Sequence, residues 1–234
     1  MGSVLAVCRV HQLLPDSGTV GITAIDKRPA EGRVKARALG LFADVQADRA
    51  NHGGPDQAVY AYAEEDAEHW AEELGREITP GLFGENLRTS GVAVSTAVVG
   101  EQWRVGSALL EVTQPRTPCS TFQRRMGEKQ WVRRFTAANR TGAYLRVAEA
   151  GEIGAGDTID VVHVPEHGVR IADWFGAYFS VARGVEPRDG ERGEADPVGL
   201  AALARRLLAA EGTGDCRLGD EMRASCEKAV ASAR

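Results

Sequence analysis

The chain has 234 residues, of which 43% are hydrophobic and 26% charged, a composition that suits one large globular domain or a main domain with a small appendage. Its net charge of -5 argues against general nucleic-acid binding, which needs a basic footprint. No apolar run reaches the roughly 18 residues of a membrane span, so no membrane contact is expected, and Met1-Gly2-Ser3-Val4-Leu5 has no basic region of the kind that opens a secretion signal.

Residues 4–12 read as a strand led by Val4, Leu5, Ala6 and Val7. Residues 14–32 are turn-rich, with Pro15, Gly18, Gly21, Pro29 and Gly32, and short strands are expected near 19–25 and 33–39. His52-Gly53-Gly54-Pro55 breaks the chain, and a short strand follows over 58–62. Residues 64–74, rich in Ala and Glu and stopped by Gly75, are predicted to be helical. Residues 80–86 form another turn-rich loop. Strands are predicted over 98–105 and 109–114, joined around Gly106-Ser107. A helix is expected just after Pro118 and another over 129–138, before strands over 142–148 and 158–164.

From His167 the pattern changes. Residues 169–179 suit a helix with Ile171, Trp174, Phe175 and Tyr178 on one face. Residues 183–196 are charged and Gly-rich and read as a mobile connection, and helices are predicted over 197–210 and 215–231. The expected organisation is a β-rich body over 1–165 and a small three-helix appendage over 166–234.

Cys8, Cys119, Cys216 and Cys226 are far apart and form no CxxC, so neither a disulfide framework nor a zinc site is expected, and a reducing cytoplasm is the natural compartment. The sharpest local feature is Gln114-Pro115-Arg116-Thr117-Pro118-Cys119. Its two prolines stiffen the backbone and oppose continuation of the strand. Cys119 then falls at the start of the next helix with Arg116 nearby, and both features favour a thiolate, which is a nucleophile or a soft metal ligand. The alternative is an inert buried cysteine.

Three further segments are less specific. Residues 46–57 hold Asp48, Arg49, His52 and Asp56 around paired glycines, which suits either a close backbone approach to a ligand or a locally hydrogen-bonded loop. Lys27-Arg28-Pro29-Ala30-Glu31-Gly32-Arg33 carries three cations that suit a phosphate site or a solvated turn. Asn86, in Gly84-Glu85-Asn86, suits a polar contact or a left-handed turn. The remaining cysteines and the tryptophans read as packing residues.

Taken in order, Thr23-Ala24-Ile25-Asp26-Lys27-Arg28-Pro29, Gln46-Ala47-Asp48-Arg49 through His52-Gly53-Gly54-Pro55-Asp56, Gly81-Leu82-Phe83-Gly84-Glu85-Asn86-Leu87 and Gln114-Pro115-Arg116-Thr117-Pro118-Cys119 resemble the MOSC-domain family, named for the C-terminal domain of molybdenum-cofactor sulfurases. The tail from His167 resembles the three-helix "3-alpha" extension of a bacterial branch associated with 6-N-hydroxylaminopurine resistance.

The resemblance implies a mainly β (α+β) fold, a β-barrel with peripheral helices over 1–165 followed by a three-helix domain over 166–234. It implies the molybdenum cofactor, a phosphorylated pterin dithiolene, with Cys119 as metal ligand or as carrier of a sulfane sulfur. A phosphate needs fixed positive charge, and Lys27, Arg33, Arg49, His52 and Arg116 are the candidates, with Arg28 beside them. Asp56 and Asn86 would bond the pterin or order its loops, and Asp48 would orient His52 or Arg49. The activity implied first is reduction of hydroxylaminopurines, hydroxylamines or amidoximes. The chain shows no flavin, haem or iron–sulfur signature, so that activity requires a separate electron-donor reductase. A sulfur carrier and a non-catalytic cofactor-binding module are the alternatives, and the apolar helix faces of the tail suit a homodimer or a cover over the site.

Overall fold

The computed structural model describes residues 1–18, 20–47, 53–183 and 196–233. In chain order its first strands are β1 (Gly2–Val10), β2 (Leu14–Pro15), β3 (Ile22–Thr23), β4 (Lys27–Pro29), β5 (Val34–Arg37), β6 (Gly40–Leu41) and β7 (Val59–Ala63). Helix α1 (Glu64–Leu74) precedes β8 (Leu87–Ser90), β9 (Gln102–Val105) and β10 (Ala108–Pro115). Helices α2 (Ser120–Met126) and α3 (Trp131–Ala138) follow, then β11 (Ala143–Glu149), β12 (Gly151–Ile153) and β13 (Thr158–His163). The tail is α4 (Ile171–Arg183), α5 (Pro197–Thr213) and α6 (Asp220–Ser232).

Seven strands pair in the ring order β13-β9-β10-β11-β7-β8-β1, and β1 pairs back to β13, so the sheet closes into a barrel. Closure leaves the ring without a free edge. The period-two alternation of a strand then sorts residues inside or outside. On β7, Val59, Ala61 and Ala63 join the inner core with Leu110 and Val112 of β10 and Ala143 and Leu145 of β11. Their neighbours Tyr60 and Tyr62 join a separate outer cluster with Trp70, Phe83, Phe122, Trp131 and Phe135. That cluster holds α1, α2 and α3 against the outside of the wall.

The pairing of β7 with β8 is parallel, with α1 as the crossover. Strand β8 falls just after the predicted loop and has no hydrophobic alternation to betray it. Its sequence is Leu-Arg-Thr-Ser, and Arg88 is buried completely. The charge is matched: Arg88 donates to Glu85 at 2.5 Å, to Glu64 at 2.8 Å and to the carbonyls of Ile78 and Thr79. Glu85 in turn accepts from the amides of Gly81 at 2.8 Å and Phe83 at 3.0 Å, so one ion pair shapes the whole 78–85 loop.

The strand expected over 98–105 begins only at Gln102, because Gly100 (φ 88°) turns the chain and Glu101 holds the Val98 amide and the Trp103 indole. A Cβ on Gly100 would lie 2.6 Å from Cβ of Cys216, so this glycine lets the tail approach the barrel. The tail shares the apolar cluster of the barrel through Leu200, Ala204 and Leu207 of α5 and Met222, Cys226 and Ala229 of α6. The side chains of Gln57 and Gln114 both donate to Glu221 of α6, at 3.2 and 3.0 Å. The expected mobile connection at 183–196 lies, but for its ends, outside the described residues. No helix among the described residues is long and apolar enough to cross a membrane.

Removing one member of a buried ion pair leaves the other charge unmatched and costs about 3–5 kcal/mol. Glu85→Ala is therefore expected to lower the unfolding free energy by about that amount in urea titrations. A loss below about 1 kcal/mol would mean that the ion pair does not hold the 78–85 loop.

Candidate functional site

A cavity of about 440 Å³ opens on the outside of the barrel wall. Its lining includes the β2–β3 hairpin, Lys27 of β4, the Asp44–Ala47 stretch, Tyr60 of β7, Asn86, Arg116, Thr117, Cys119 to Thr121, and Tyr144 of β11. The sequence explains how these parts meet. Pro115 is the last residue of β10, and Pro118 keeps the chain extended until Cys119, whose φ and ψ of -125° and 173° are still those of a strand. Helix α2 begins at the next residue, so Cys119 stands at the point where chain leaves wall, half-buried and facing the cavity. Gly81 (φ 87°) brings the 78–85 loop onto β4, where a Cβ would lie 2.3 Å from the Lys27 carbonyl.

Arg116 is buried in the wall of this cavity. Its guanidinium lies 3.9 Å from the centre of the Phe122 ring and 5.0 Å from that of Tyr60, and Nη1 donates to the Phe83 carbonyl. Among the described residues it has no carboxylate partner. Burial opposes its charge, while the Tyr60 and Tyr144 hydroxyls and the Cys119 sulfur favour it. Such a charge leaves an unmatched positive potential that an anion in the cavity would offset.

Lys27 also faces the cavity, but its ammonium is paired with Asp44 at 2.7 Å. Asp44 further accepts from Asn86 Nδ2 at 2.8 Å and the Val10 amide at 2.8 Å. Asn86 is fully committed: Oδ1 accepts from the Tyr60 amide and Nδ2 also donates to the Cys8 carbonyl. These bonds tie Asn86 to β1, to β7 and to Asp44. On the far wall, Asp16 of the hairpin accepts from Arg124 at 2.6 and 2.8 Å and from Thr121 at 3.0 Å. The Arg124 guanidinium holds the Asp16 carboxyl below its usual range. This clasp ties the hairpin to the helix that follows Cys119.

The structure thus brings Lys27, Asn86, Arg116 and Cys119 to one cavity. Arg33 is a correction: it pairs with Asp157 at 2.8 Å, donates to the Glu152 carbonyl, and is absent from the cavity wall. Its partners lie over a hundred residues away in sequence, so nothing local announced them. Asp56 is likewise outside the wall, held by Arg146 at 2.6 Å. Arg28 is exposed and pairs with Asp26. Asp48, Arg49 and His52 lie outside the described residues. Sequence reasoning missed Asp44, Tyr60 and Tyr144. The two tyrosines break the aliphatic pattern of their strands, which was the available signal.

Burial pushes the thiols of Cys8 and Cys226 up to about 12 and that of Cys216 to about 11. At pH 8 a thiol with a pKa near 12 is ionised at roughly one part in ten thousand. Iodoacetamide at pH 8 is therefore expected to label the half-buried Cys119 first, well ahead of the other three. Peptide mass spectrometry reads the order, and labelling of any other cysteine before Cys119 would contradict this placement.

A model of the MOSC domain matches residues 48–160. The uncharacterized protein YflK of Bacillus subtilis is 36% identical over 149 residues, covering 64% of this chain and 67% of that protein. A protein of Gibberella moniliformis called a reductase is 32% identical over 147 residues, covering 61% of this chain but only 26% of its own length. The crystal structure of YiiM from Geobacillus stearothermophilus superposes with a TM-score of 0.73 at 23% identity, covering 98% of this chain and 99% of that one. The barrel, the order of the matched segments along it and these similarities together assign the chain to the MOSC-domain family.

Proposed function

We propose that this chain binds the molybdenum cofactor and reduces N-hydroxylated compounds such as hydroxylaminopurines, hydroxylamines or amidoximes. The observation that carries the reading is the pairing, in one cavity, of the half-buried Cys119 sulfur with a buried guanidinium that has no carboxylate partner among the described residues. Family membership and the similarity to a fungal protein called a reductase support it.

The donor set fits the cofactor. The cavity lies within the roughly 300–1,000 Å³ of small-molecule and cofactor sites. Among the described residues no three His, Cys, Asp or Glu side chains cluster to hold a metal by themselves. A metal bound here would be held from the protein side by one soft sulfur, that of Cys119. Bound molybdenum cofactor would supply two-electron chemistry that, with two protons, converts an N-hydroxyl group to N–H and water.

The chain's own residues supply the setting. Cys119 holds the metal through its sulfur. Arg116 lines the same cavity and offsets the negative charge of sulfur and cofactor. Lys27 keeps N–H donors beyond the one given to Asp44, and these suit a phosphate. The β2–β3 hairpin, clasped to α2 by Asp16 and Arg124, walls the cavity from bulk water. Electrons come from a separate reductase.

Losing an outer partner of a metal ligand costs roughly 10–100-fold in affinity or activity, so losing the ligand itself costs more. In protein from a molybdate-replete host, Cys119→Ala is expected to lose molybdenum and to reduce 6-hydroxylaminopurine at least about 100-fold more slowly, with dithionite as reductant. Its melting temperature is expected to stay within a few degrees of the parent. Wild-type protein that holds molybdenum yet reduces none of the three substrate classes would overturn the reading. A stoichiometric persulfide on Cys119 without molybdenum would favour the sulfur carrier instead. Arg116→Gln is expected to retain less molybdenum, and unchanged content would remove Arg116 from the site.

A further inference from the structure

Three tyrosines stand together on the outer face of the barrel wall, Tyr60 and Tyr62 on β7 and Tyr144 beside them on β11. A phenol turned into a protein needs a hydrogen-bond partner for its hydroxyl. Tyr60 donates to the Thr141 carbonyl at 2.8 Å, and Tyr62 donates to the Arg140 carbonyl at 2.9 Å. Tyr144 differs. It is half-buried, its ring lies 5.2 Å from that of Tyr60, it lines the cavity, and its hydroxyl meets no hydrogen-bond partner among the described residues.

The other polar groups of the wall have roles of their own. Lys27 and Arg116 are the cations assigned above to the charge of the cofactor, and Thr121 is held by Asp16. Both Asn86 donors are taken. Thr117 and Ser120 have hydroxyls too, but both are exposed at the rim, where water satisfies them. Burial raises the Tyr144 phenol above its ordinary range, although Arg116 pulls the other way, so the hydroxyl keeps its proton at neutral pH and can donate it.

We infer that Tyr144 reads the oxygen of the substrate: its hydroxyl donates a hydrogen bond to the N–O oxygen held beside Cys119. This rests on the reductase reading above and adds to it the residue that distinguishes an N-hydroxylated compound from its amine. A site built around one such donor discriminates against the analogue that lacks the oxygen, because the donor is then left unmatched.

The test uses 6-hydroxylaminopurine and adenine, which differ by that oxygen. Calorimetric titration of the oxidised, cofactor-loaded protein gives the ratio of the two affinities without turnover. The wild type is expected to prefer 6-hydroxylaminopurine, and Tyr144→Phe to lose about tenfold of that preference. The melting temperature of the variant is expected to stay within a few degrees of the parent, since no bond inside the protein is lost. Tyr62→Phe removes a hydroxyl from the same sheet and is expected to leave the ratio unchanged while lowering stability. With dithionite as reductant, kcat/KM for 6-hydroxylaminopurine is expected to fall about tenfold or more in Tyr144→Phe. An unchanged ratio in folded Tyr144→Phe overturns the assignment, as does a wild type that reduces 6-hydroxylaminopurine but binds both purines equally. A wild type that neither binds nor reduces any N-hydroxylated compound sinks the reductase reading, and this one with it.

Discussion

Both faces of the β7–β11 wall are buried, and the molecule depends on the different chemistry of those two faces. The inner face carries Val59, Ala61, Ala63, Ala143 and Leu145, small enough to fill a closed seven-stranded ring. The outer face carries Tyr60, Tyr62 and Tyr144, which are large, partly polar and bound to α1, α2, α3 and the 78–85 loop. A shift of one residue in either strand would drive tyrosines into the barrel and leave the cavity without its back wall. The same alternation therefore specifies the register of the sheet and the floor of the site.

Two buried arginines that flank this wall illustrate what a fold does with an internal charge. Arg88 is matched by Glu85 and Glu64 and uses its remaining donors on carbonyls, so its charge is consumed by structure. Arg116 has aromatic rings and a carbonyl as its described partners, and no described carboxylate. Aromatic faces attract a cation but cancel less of its charge than a carboxylate does. The first arginine positions the Gly81–Gly84 loop, and that loop supplies the Phe83 carbonyl to the second. A structural ion pair thus holds an unmatched charge where a ligand can meet it.

The tail helices contribute from behind. Their apolar faces continue the barrel core, and Glu221 of α6 is gripped by Gln57 and Gln114 close to the segment that carries Arg116 and Cys119. This anchors the end of β10, where the strand gives way to the cysteine, and limits how far the cavity wall can move.

Some of this was legible in the chain itself. Pro115 and Pro118 act on their own backbone, so the exit from β10 and the place of Cys119 at the start of the next helix follow from local rules. The helix over 64–74 and the alternation of β7 are likewise properties of consecutive residues. Strand β8 was hidden because two of its three buried residues, Arg88 and Thr89, are polar. The same holds for the cations. Lys27, Arg33 and Arg116 are all candidate phosphate ligands as sequence, yet one is paired with Asp44, one with Asp157 and one with no described carboxylate. Backbone punctuation and strand period are set by neighbours along the chain, which any sequence contains. Which charges cancel, and which hydroxyl is left facing the cavity, depends on residues brought together from distant positions, and only the closed barrel decides that.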